Sequence, residues 1–99
     1  MIVVITDEAD ADLEHIGDVI AADNPQRSAS FVRELVQRCE RLTDMPRRFA
    51  LLPGYEHTDI RRLIHSEYLI FYRIDADAVN VLHILNGAMD YERVLFPEQ

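Results

Sequence analysis

The fold is decided in the C-terminal half of the chain, where residues 68–85 read YLIFYRIDADAVNVLHIL. Residues 68–74 and 78–85 are rich in aromatic and β-branched side chains, which are typical of strands. Between them, Asp75-Ala76-Asp77 forms a tight polar connection. Since a connection this short joins antiparallel neighbours, the segment predicts a β-hairpin.

Three more strands are predicted upstream of this hairpin. Residues 58–65 form one with mixed faces, and residues 49–52 form a shorter one. Pro53-Gly54 between these two is the expected centre of a type II turn. Residues 2–5, Ile-Val-Val-Ile, are β-branched without alternation, which predicts a strand buried on both faces.

The apolar spacing becomes helical between the first strand and Pro46. One helix is expected over about 7–22, with Leu13 and Ile16 on its apolar face. Asn24-Pro25 breaks the pattern and begins a second amphipathic helix over about 25–43. On the solvent side of this helix, Glu34 and Arg38 are spaced for an i,i+4 ion pair. The short break predicts an antiparallel helical hairpin.

The predicted order is therefore β-α-α-β-β-β-β. It describes an α+β domain in which a helical hairpin packs on one face of a small twisted antiparallel sheet. A chain of 99 residues is the usual size of one domain, so residues 1–99 are expected to form a single unit.

Charge is unevenly distributed along the chain. The formal net charge is -8, and all ten basic residues are arginines. Residues 1–24 hold seven acids and no basic side chain, whereas residues 25–62 hold eight arginines and five acids. A protein that is anionic overall lacks a general attraction to nucleic acid, so no direct nucleic-acid binding is expected. No apolar run is long enough for a membrane span, and no signal peptide is recognisable, which predicts a cytoplasmic protein.

No metal, cofactor or nucleophile site is predicted. The four histidines lack the spacing of metal ligands, and the one cysteine, Cys39, lies on the apolar stripe of the second helix as a buried thiol would. Asp7, Asp10 and Asp12 are interpreted as a solvated first helical turn. His83 is either a satisfied histidine of the sheet or a general base.

Arg61-Arg62 is the unusual feature of the strand at 58–65, and Arg73 lies in the next strand. Adjacent strand residues point to opposite faces, so one of Arg61 and Arg62 should face the helical layer and the other the open face. Two interpretations stay open. Arg61 and Arg62 both lie at sheet edges and pair with Glu or Asp, or the one on the open face receives a carboxylate-rich partner segment or a phosphate.

Ordered motifs over nearly the whole length resemble a known family. They are Ala11-Asp12-Leu13-Glu14-His15-Ile16, Asn24-Pro25, Leu52-Pro53-Gly54, Tyr68-Leu69-Ile70-Phe71-Tyr72-Arg73-Ile74 and Val81-Leu82-His83-Ile84-Leu85-Asn86-Gly87-Ala88-Met89-Asp90. Together they resemble the ParE branch of the RelE/ParE toxin superfamily, from the type II toxin–antitoxin modules that include plasmid stabilization systems. The resemblance implies the same β-α-α-β-β-β-β fold.

The two branches of this superfamily imply different activities. RelE-like toxins are ribosome-dependent mRNA endonucleases that act through basic residues on the sheet, whereas ParE-like toxins inhibit DNA gyrase. Here Gly87 is followed by Ala88, Met89 and Asp90, which offer no cation for a phosphorane-like transition state. This favours a non-catalytic gyrase inhibitor over the alternative of a ribonuclease with His83 as acid/base. A degenerate, non-toxic member that only binds an antitoxin is the third alternative.

The resemblance also implies partners and contact residues. The expected antitoxin is ParD-like, with a ribbon-helix-helix N-terminus, and forms a hetero-oligomer with the toxin. Its carboxylates are expected to pair with Arg61, Arg62 and Arg73, and its amphipathic helix is expected to occupy the groove between hairpin and sheet. Position after the last strand indicates that gyrase contacts Asn86, Met89, Asp90 and the tail to Phe96. The alternative for the tail is that Val94, Leu95 and Phe96 cap the core.

Overall fold

The chain order of elements is close to the predicted one. The elements are β1 (Ile2–Ile5), α1 (Asp7–Ala21), α2 (Pro25–Glu40), β2 (Arg61–His65), β3 (Tyr68–Asp75), β4 (Ala78–Asn86) and α3 (Tyr91–Leu95). Two 3-10 helices, Arg41–Thr43 and Glu56–Thr58, lie between α2 and β2. This computed structural model describes residues 1–98. It confirms the α+β class and the two-helix hairpin.

Side-chain caps determine where the two long helices begin. Thr6 Oγ1 accepts a hydrogen bond from Ala9 N at 3.2 Å, and Asn24 Oδ1 accepts one from Arg27 N at 3.0 Å. These bonds satisfy N–H groups that have no partner inside the helix. The predicted helix starts are confirmed. The end of the second helix was predicted about three residues too late, because residues 41–43 form a 3-10 helix.

The sheet has four strands in the spatial order β1-β4-β3-β2. β2 pairs antiparallel with β3, and β3 with β4, as predicted. β1, however, pairs parallel with β4, so the sheet is mixed and the prediction of a purely antiparallel sheet was wrong. The prediction failed because the two helices carry the chain away from β1, and hairpin loops then bring β4 back beside it in the same direction.

Residues 49–52 do not form the predicted strand. Only Leu51 forms a bridge, opposite Arg61, and two backbone hydrogen bonds flank it. The Pro53-Gly54 turn ends the pairing at once. Gly54 has φ +82°, and Tyr55 N donates to Leu52 O at 3.0 Å, as in the predicted type II turn. β2 also begins later than predicted, since Asp59 adopts a left-handed φ of +62° just before it.

Apolar side chains are buried on both faces of the sheet. The main cluster lies between helices and sheet and includes Leu13, Ile16, Phe31, Leu35, Cys39, Leu63, Ile70, Tyr72, Val79, Val81 and Ile84. A second cluster on the opposite face consists of Leu52, Ile60, Leu69, Phe71 and Leu85. α3 and neighbouring tail residues pack against this second cluster, so the face expected to be open is partly covered.

β1 is an edge strand, and the prediction that it is buried on both faces was wrong. Val3 and Ile5 pack against the main cluster, but Ile2 is 64% exposed and Val4 is 37% exposed. Burial on one face alone is enough to hold a strand whose backbone already pairs with β4. Apolar composition did not distinguish an edge position from a central one.

The predicted Glu34–Arg38 ion pair is not formed. Glu34 instead binds Arg27 through Oε2 and contacts Nε2 of His65 through Oε1 at 3.1 Å. The Arg27 hydrogen bond, followed by that of His65, lowers the pKa of Glu34. Two donors on either side of Glu34 hold its carboxylate away from Arg38. The guanidinium of Arg38 has no ion-pair partner among residues 1–98.

Two buried groups predict a loss of stability at alkaline pH. Burial raises the pKa of the Cys39 thiol to about 12, and burial also raises the pKa of the Tyr72 hydroxyl, which donates to Pro46 O at 2.6 Å. Both groups are held neutral by the fold, so their contribution is complete below their unfolded pKa values and is lost as the pH rises towards the folded ones. We expect the free energy of unfolding to fall as the pH rises above 9.0, the ordinary thiol value.

Urea unfolding at a series of pH values measures this effect. The control is Cys39→Ala, which lowers stability at every pH by removing buried volume but should make the alkaline slope less steep, since only the Tyr72 hydroxyl then titrates. The same slope in both proteins would contradict a role for the thiol.

Among residues 1–98, no helix is both long enough and apolar enough to cross a membrane.

Candidate functional site

Arg61 and Arg62 point to opposite faces of β2, as the sequence predicted. Arg61 lies on the helical side, where its Nη1 donates to Phe49 O at 2.7 Å and to Arg47 O at 3.2 Å. Arg62 lies on the other face, where its Nη1 donates to the hydroxyl of Tyr91 in α3 at 3.2 Å. Neither arginine pairs with an acid among the ion pairs described, so both hold polar groups of neighbouring segments.

Arg73 shares the face of Arg62 but has a separate set of partners. Its Nε contacts Asp75 Oδ2 at 3.1 Å, and Asn80 Nδ2 donates to the same carboxylate oxygen at 3.0 Å. Arg73 therefore pairs with an acid, although β3 is a central strand of the sheet. The three predicted arginines do not converge on one site, because Arg61 is on the helical side of the sheet and the other two are not.

Asn86, Met89 and Asp90 lie at the end of β4 and in the loop before α3. Asn86 Oδ1 accepts a hydrogen bond from Ala88 N at 2.8 Å and so shapes the turn. Met89 is 42% exposed. Asp90 forms an exposed ion pair with Arg93 at 3.2 Å. Met89 is thus the apolar side chain that this loop presents to solvent.

Phe96 holds the tail onto the sheet. Its ring stacks on Tyr55 with a centroid distance of 4.2 Å and an interplanar angle of 11°. The hydroxyl of Tyr55 donates to Glu92 Oε2 at 2.8 Å, which attaches α3 at a second point. Val94, Leu95 and Phe96 all pack against the second cluster. The expectation that these three residues cap the core is confirmed.

A groove of about 390 Å³ separates α1 from the end of β4, and we call it the α1–β4 groove. Most of its lining is apolar. The lining residues are Asp12, His15, Ile16, Val19, Tyr68, Ile84, Leu85, Asn86, Met89 and Val94. It brings together two of the four residues predicted to contact the target, Asn86 and Met89.

Asp12 closes the free edge of β4 beside this groove. β1 ends at Ile5, opposite Val81, while β4 continues to Asn86. Asp12 Oδ2 takes the place of the missing strand, accepting from Ile84 N at 2.8 Å and contacting His83 Nδ1 at 2.8 Å. The interpretation of Asp12 as part of a solvated turn was wrong. The unequal lengths of β1 and β4 are the signal that would have revealed this contact.

Asp12→Ala should lower the free energy of unfolding by about 2–3 kcal/mol, because hydrogen bonds to a charged group are lost and a strand N–H is left unpaired. Chemical denaturation measures the loss. Asp12→Asn, which keeps an acceptor for Ile84 N, is the matched control and should lose less. Equal losses for the two variants would contradict an acceptor role for this side chain.

The surroundings of His83 do not form a phosphate-cleaving site. Arg62, Phe71 and His83 lie in one row across β2, β3 and β4. Phe71 separates the other two and is covered by Tyr91, with ring centroids 5.1 Å apart. The Nδ1 of His83 is engaged by Asp12, as expected for a satisfied sheet histidine. Arginine and histidine therefore do not meet at a common open point.

A second groove, which sequence reasoning missed, lies between the end of α2, the loop that follows it and β2. We call it the arginine groove; its volume is about 460 Å³. Its lining residues are Arg38, Arg41, Leu42, Asp44, Met45, Arg48, Phe49 and Leu63. Arg38 and Arg41 were a usable signal, since residues three apart share a helix face. The loop that adds Arg48 could not be placed from sequence.

No group of three His, Cys, Asp or Glu side chains within residues 1–98 is arranged to hold a metal ion.

Comparisons with known proteins give one family and one fold. The family model of the ParE toxin of the type II toxin–antitoxin system, parDE, matches residues 3–91. No curated protein matches the chain significantly. Among solved structures, the chain is similar to one described as the chromosomal ParDE TA system from P. aeruginosa, with a TM-score of 0.76 and 22% sequence identity. The alignment covers 87% of this chain and 95% of that one, and at this identity the likeness shows the fold.

Proposed function

The chain belongs to the ParE toxin family of type II toxin–antitoxin systems, and we propose that it acts by binding and inhibiting DNA gyrase in the cytoplasm. Inhibition is stoichiometric and needs no bond-breaking step by the toxin. The observation that carries this proposal is the loop after β4. It presents the apolar Met89 beside the α1–β4 groove, and its one acid, Asp90, already pairs with Arg93.

The proposed gyrase surface is centred on this loop. Met89 supplies an exposed apolar contact, while Asn86 and Asp90 supply polar ones at the rim. Central apolar contacts ringed by polar groups are the usual arrangement of a protein interface. Phe96 contributes indirectly, since its stacking on Tyr55 holds α3 and therefore the preceding loop in place.

A ParD-like antitoxin with a ribbon-helix-helix N-terminus is the proposed neutralising partner, in a toxin–antitoxin hetero-oligomer. Because the toxin has a net charge of -8 and therefore no general attraction to nucleic acid, the antitoxin is proposed to make any contact with DNA. On the sheet, Arg62 and Arg73 are proposed to donate hydrogen bonds to antitoxin carboxylates in place of their present partners, Tyr91 and Asp75. Arg61 is proposed to act from the helical side by holding the segment that carries Arg47 and Phe49.

A purified supercoiling assay tests the gyrase proposal. DNA gyrase, relaxed plasmid and ATP are mixed with increasing amounts of the chain, and supercoiled product is resolved on a gel. We expect inhibition that the antitoxin reverses. Gyrase activity that persists at saturating toxin would contradict the proposal. Message cleavage on translating ribosomes would then favour the ribonuclease alternative, and normal growth of cells expressing the chain alone would favour a non-toxic member.

A further inference from the structure

The arginine groove carries a local excess of positive charge in an anionic protein. Its lining holds three arginines, Arg38, Arg41 and Arg48, and one acid, Asp44, so the lining has a net charge of +2. The chain as a whole carries -8. Beside the lining, the guanidinium of Arg61 donates to two backbone carbonyls, which are neutral and leave its charge uncompensated. A small anion in the groove is therefore attracted by the residues around it.

The three guanidiniums of the lining are available to a ligand. Among the ion pairs and side-chain hydrogen bonds of residues 1–98, none involves the side chain of Arg38, Arg41 or Arg48. The arginines that do pair with acids are Arg27, Arg73 and Arg93. Although acids outnumber arginines by 18 to 10 in this chain, none of them pairs with the three arginines around this space. Their grouping indicates an anion from outside the chain.

The loop side of the groove is preformed. Arg48 lies over the ring of Phe49, with its guanidinium carbon 5.4 Å from the ring centroid. Arg61 Nη1 donates to Phe49 O at 2.7 Å, and the Tyr72 hydroxyl donates to Pro46 O at 2.6 Å. These bonds tie the loop that carries Arg48 to the sheet. A site held in this way loses less conformational entropy when a ligand binds.

The groove has the size of a small-molecule site. Its volume of about 460 Å³ lies within the range of about 300–1,000 Å³ that is usual for ligand pockets. Arg38 and Arg41 are three residues apart and approach from the end of α2, whereas Arg48 approaches from the loop. A small ligand that binds all three must carry several negative charges close together. Consecutive phosphates meet this requirement, because each offers oxygens for paired hydrogen bonds with a planar guanidinium.

We propose that the arginine groove binds a polyphosphate chain, either free or carried by a nucleotide, through Arg38, Arg41 and Arg48. The phosphate chain is the group that is recognised. A nucleobase has little to stack on, because the guanidinium of Arg48 already lies over the Phe49 ring. Leu42 is 2% exposed and only supports the arginines from beneath.

A DNA duplex suits this groove less well than a short phosphate chain. Charges in solution are screened over about 8 Å at physiological ionic strength, so a ligand inside the groove responds mainly to the adjacent arginines. A duplex extends beyond the groove and faces the remaining surface, which is net anionic. An acidic peptide is also a poorer match, since each of its carboxylates carries one charge and the peptide backbone spaces them apart.

Isothermal titration calorimetry of the full chain with sodium tripolyphosphate tests the proposal. We expect saturable binding that weakens as the salt concentration rises. ATP without magnesium should bind within about threefold of tripolyphosphate, and adenosine should not bind, if the phosphates alone are recognised. Orthophosphate cannot reach all three arginines at once and should bind at least about tenfold more weakly.

Removal of two exposed guanidiniums provides the matched variants. The double substitution Arg41→Gln with Arg48→Gln should weaken tripolyphosphate binding at least about tenfold, because several charge-assisted hydrogen bonds are lost. Arg33→Gln is the control, since Arg33 is exposed on the same helix but lies outside the groove, and its affinity should be unchanged. NMR signals of the arginine Nε–H groups should shift at Arg38, Arg41 and Arg48 when the ligand is added.

Four results would each overturn the proposal. They are no saturable heat with tripolyphosphate, unchanged affinity of the double variant, NMR shifts confined to another surface, and tighter binding of an oligoglutamate peptide or a DNA duplex than of tripolyphosphate. ATP binding that adenosine reproduces would show recognition of the base and would also contradict it. These readouts use neither gyrase nor the antitoxin, so they are independent of the proposed function.

Discussion

Phe71→Ala should lower the free energy of unfolding by about 3–5 kcal/mol, the usual loss when a fully buried aromatic ring is removed. Phe71 is 0% exposed and lies in the centre of the sheet on the side covered by α3. Its ring contacts Tyr91, so the substitution leaves a cavity under the tail and weakens the attachment of α3. A domain of this size has a total stability of about 5–15 kcal/mol, so the variant loses a large share of it.

Two controls separate the causes of this loss in urea titrations. Phe71→Leu retains most of the volume and should cost less than about 1.5–2 kcal/mol. Tyr91→Phe keeps the ring contact but removes the hydroxyl that accepts from Arg62, and it should cost about 0.5–1.5 kcal/mol. If Phe71→Ala cost no more than Tyr91→Phe, the second cluster would contribute far less than its burial indicates.

Met89→Glu should raise the concentration of toxin needed for half-maximal gyrase inhibition by at least about tenfold, which corresponds to about 1.4 kcal/mol of binding energy. The side chain is exposed before binding and would be buried in the complex, where an unpaired carboxylate is costly. The supercoiling assay measures the change. Because Met89 is 42% exposed, the melting temperature of the free protein should stay within the range of surface substitutions.

The matched control for Met89→Glu is Ile2→Glu. Ile2 is 64% exposed and pairs with Ala78 at the start of β4, whereas the proposed surface lies beyond Asn86 at the other end of that strand. The control therefore introduces the same charge at an exposed apolar position remote from the proposed surface, and inhibition should be retained. Met89→Leu should also inhibit gyrase as the unmodified chain does, since it preserves an apolar side chain of similar size. Retained inhibition by Met89→Glu would exclude this residue from the gyrase contact.

The candidate site was only partly predictable from sequence. The opposite faces of Arg61 and Arg62 followed from strand geometry, which is local and independent of the rest of the fold. Their partners did not follow, because Phe49 and Tyr91 approach them from distant parts of the chain. The arginine groove was missed for the same reason, since Arg48 reaches it through a loop without a repeating pattern.

The two helix starts with their caps and the β3–β4 hairpin were determined by local physics. Asn24 caps α2, and the hairpin of β3 and β4 is joined by a short polar turn, so each depends on neighbouring residues whose patterns are visible in the sequence. The parallel pairing of β1, the edge bonds made by Asp12 and the covering of Phe71 by α3 were decided by tertiary structure alone. Each of them satisfies a backbone group or an apolar face through residues far away in the chain, and sequence periodicity carries no information about which distant partner will do so.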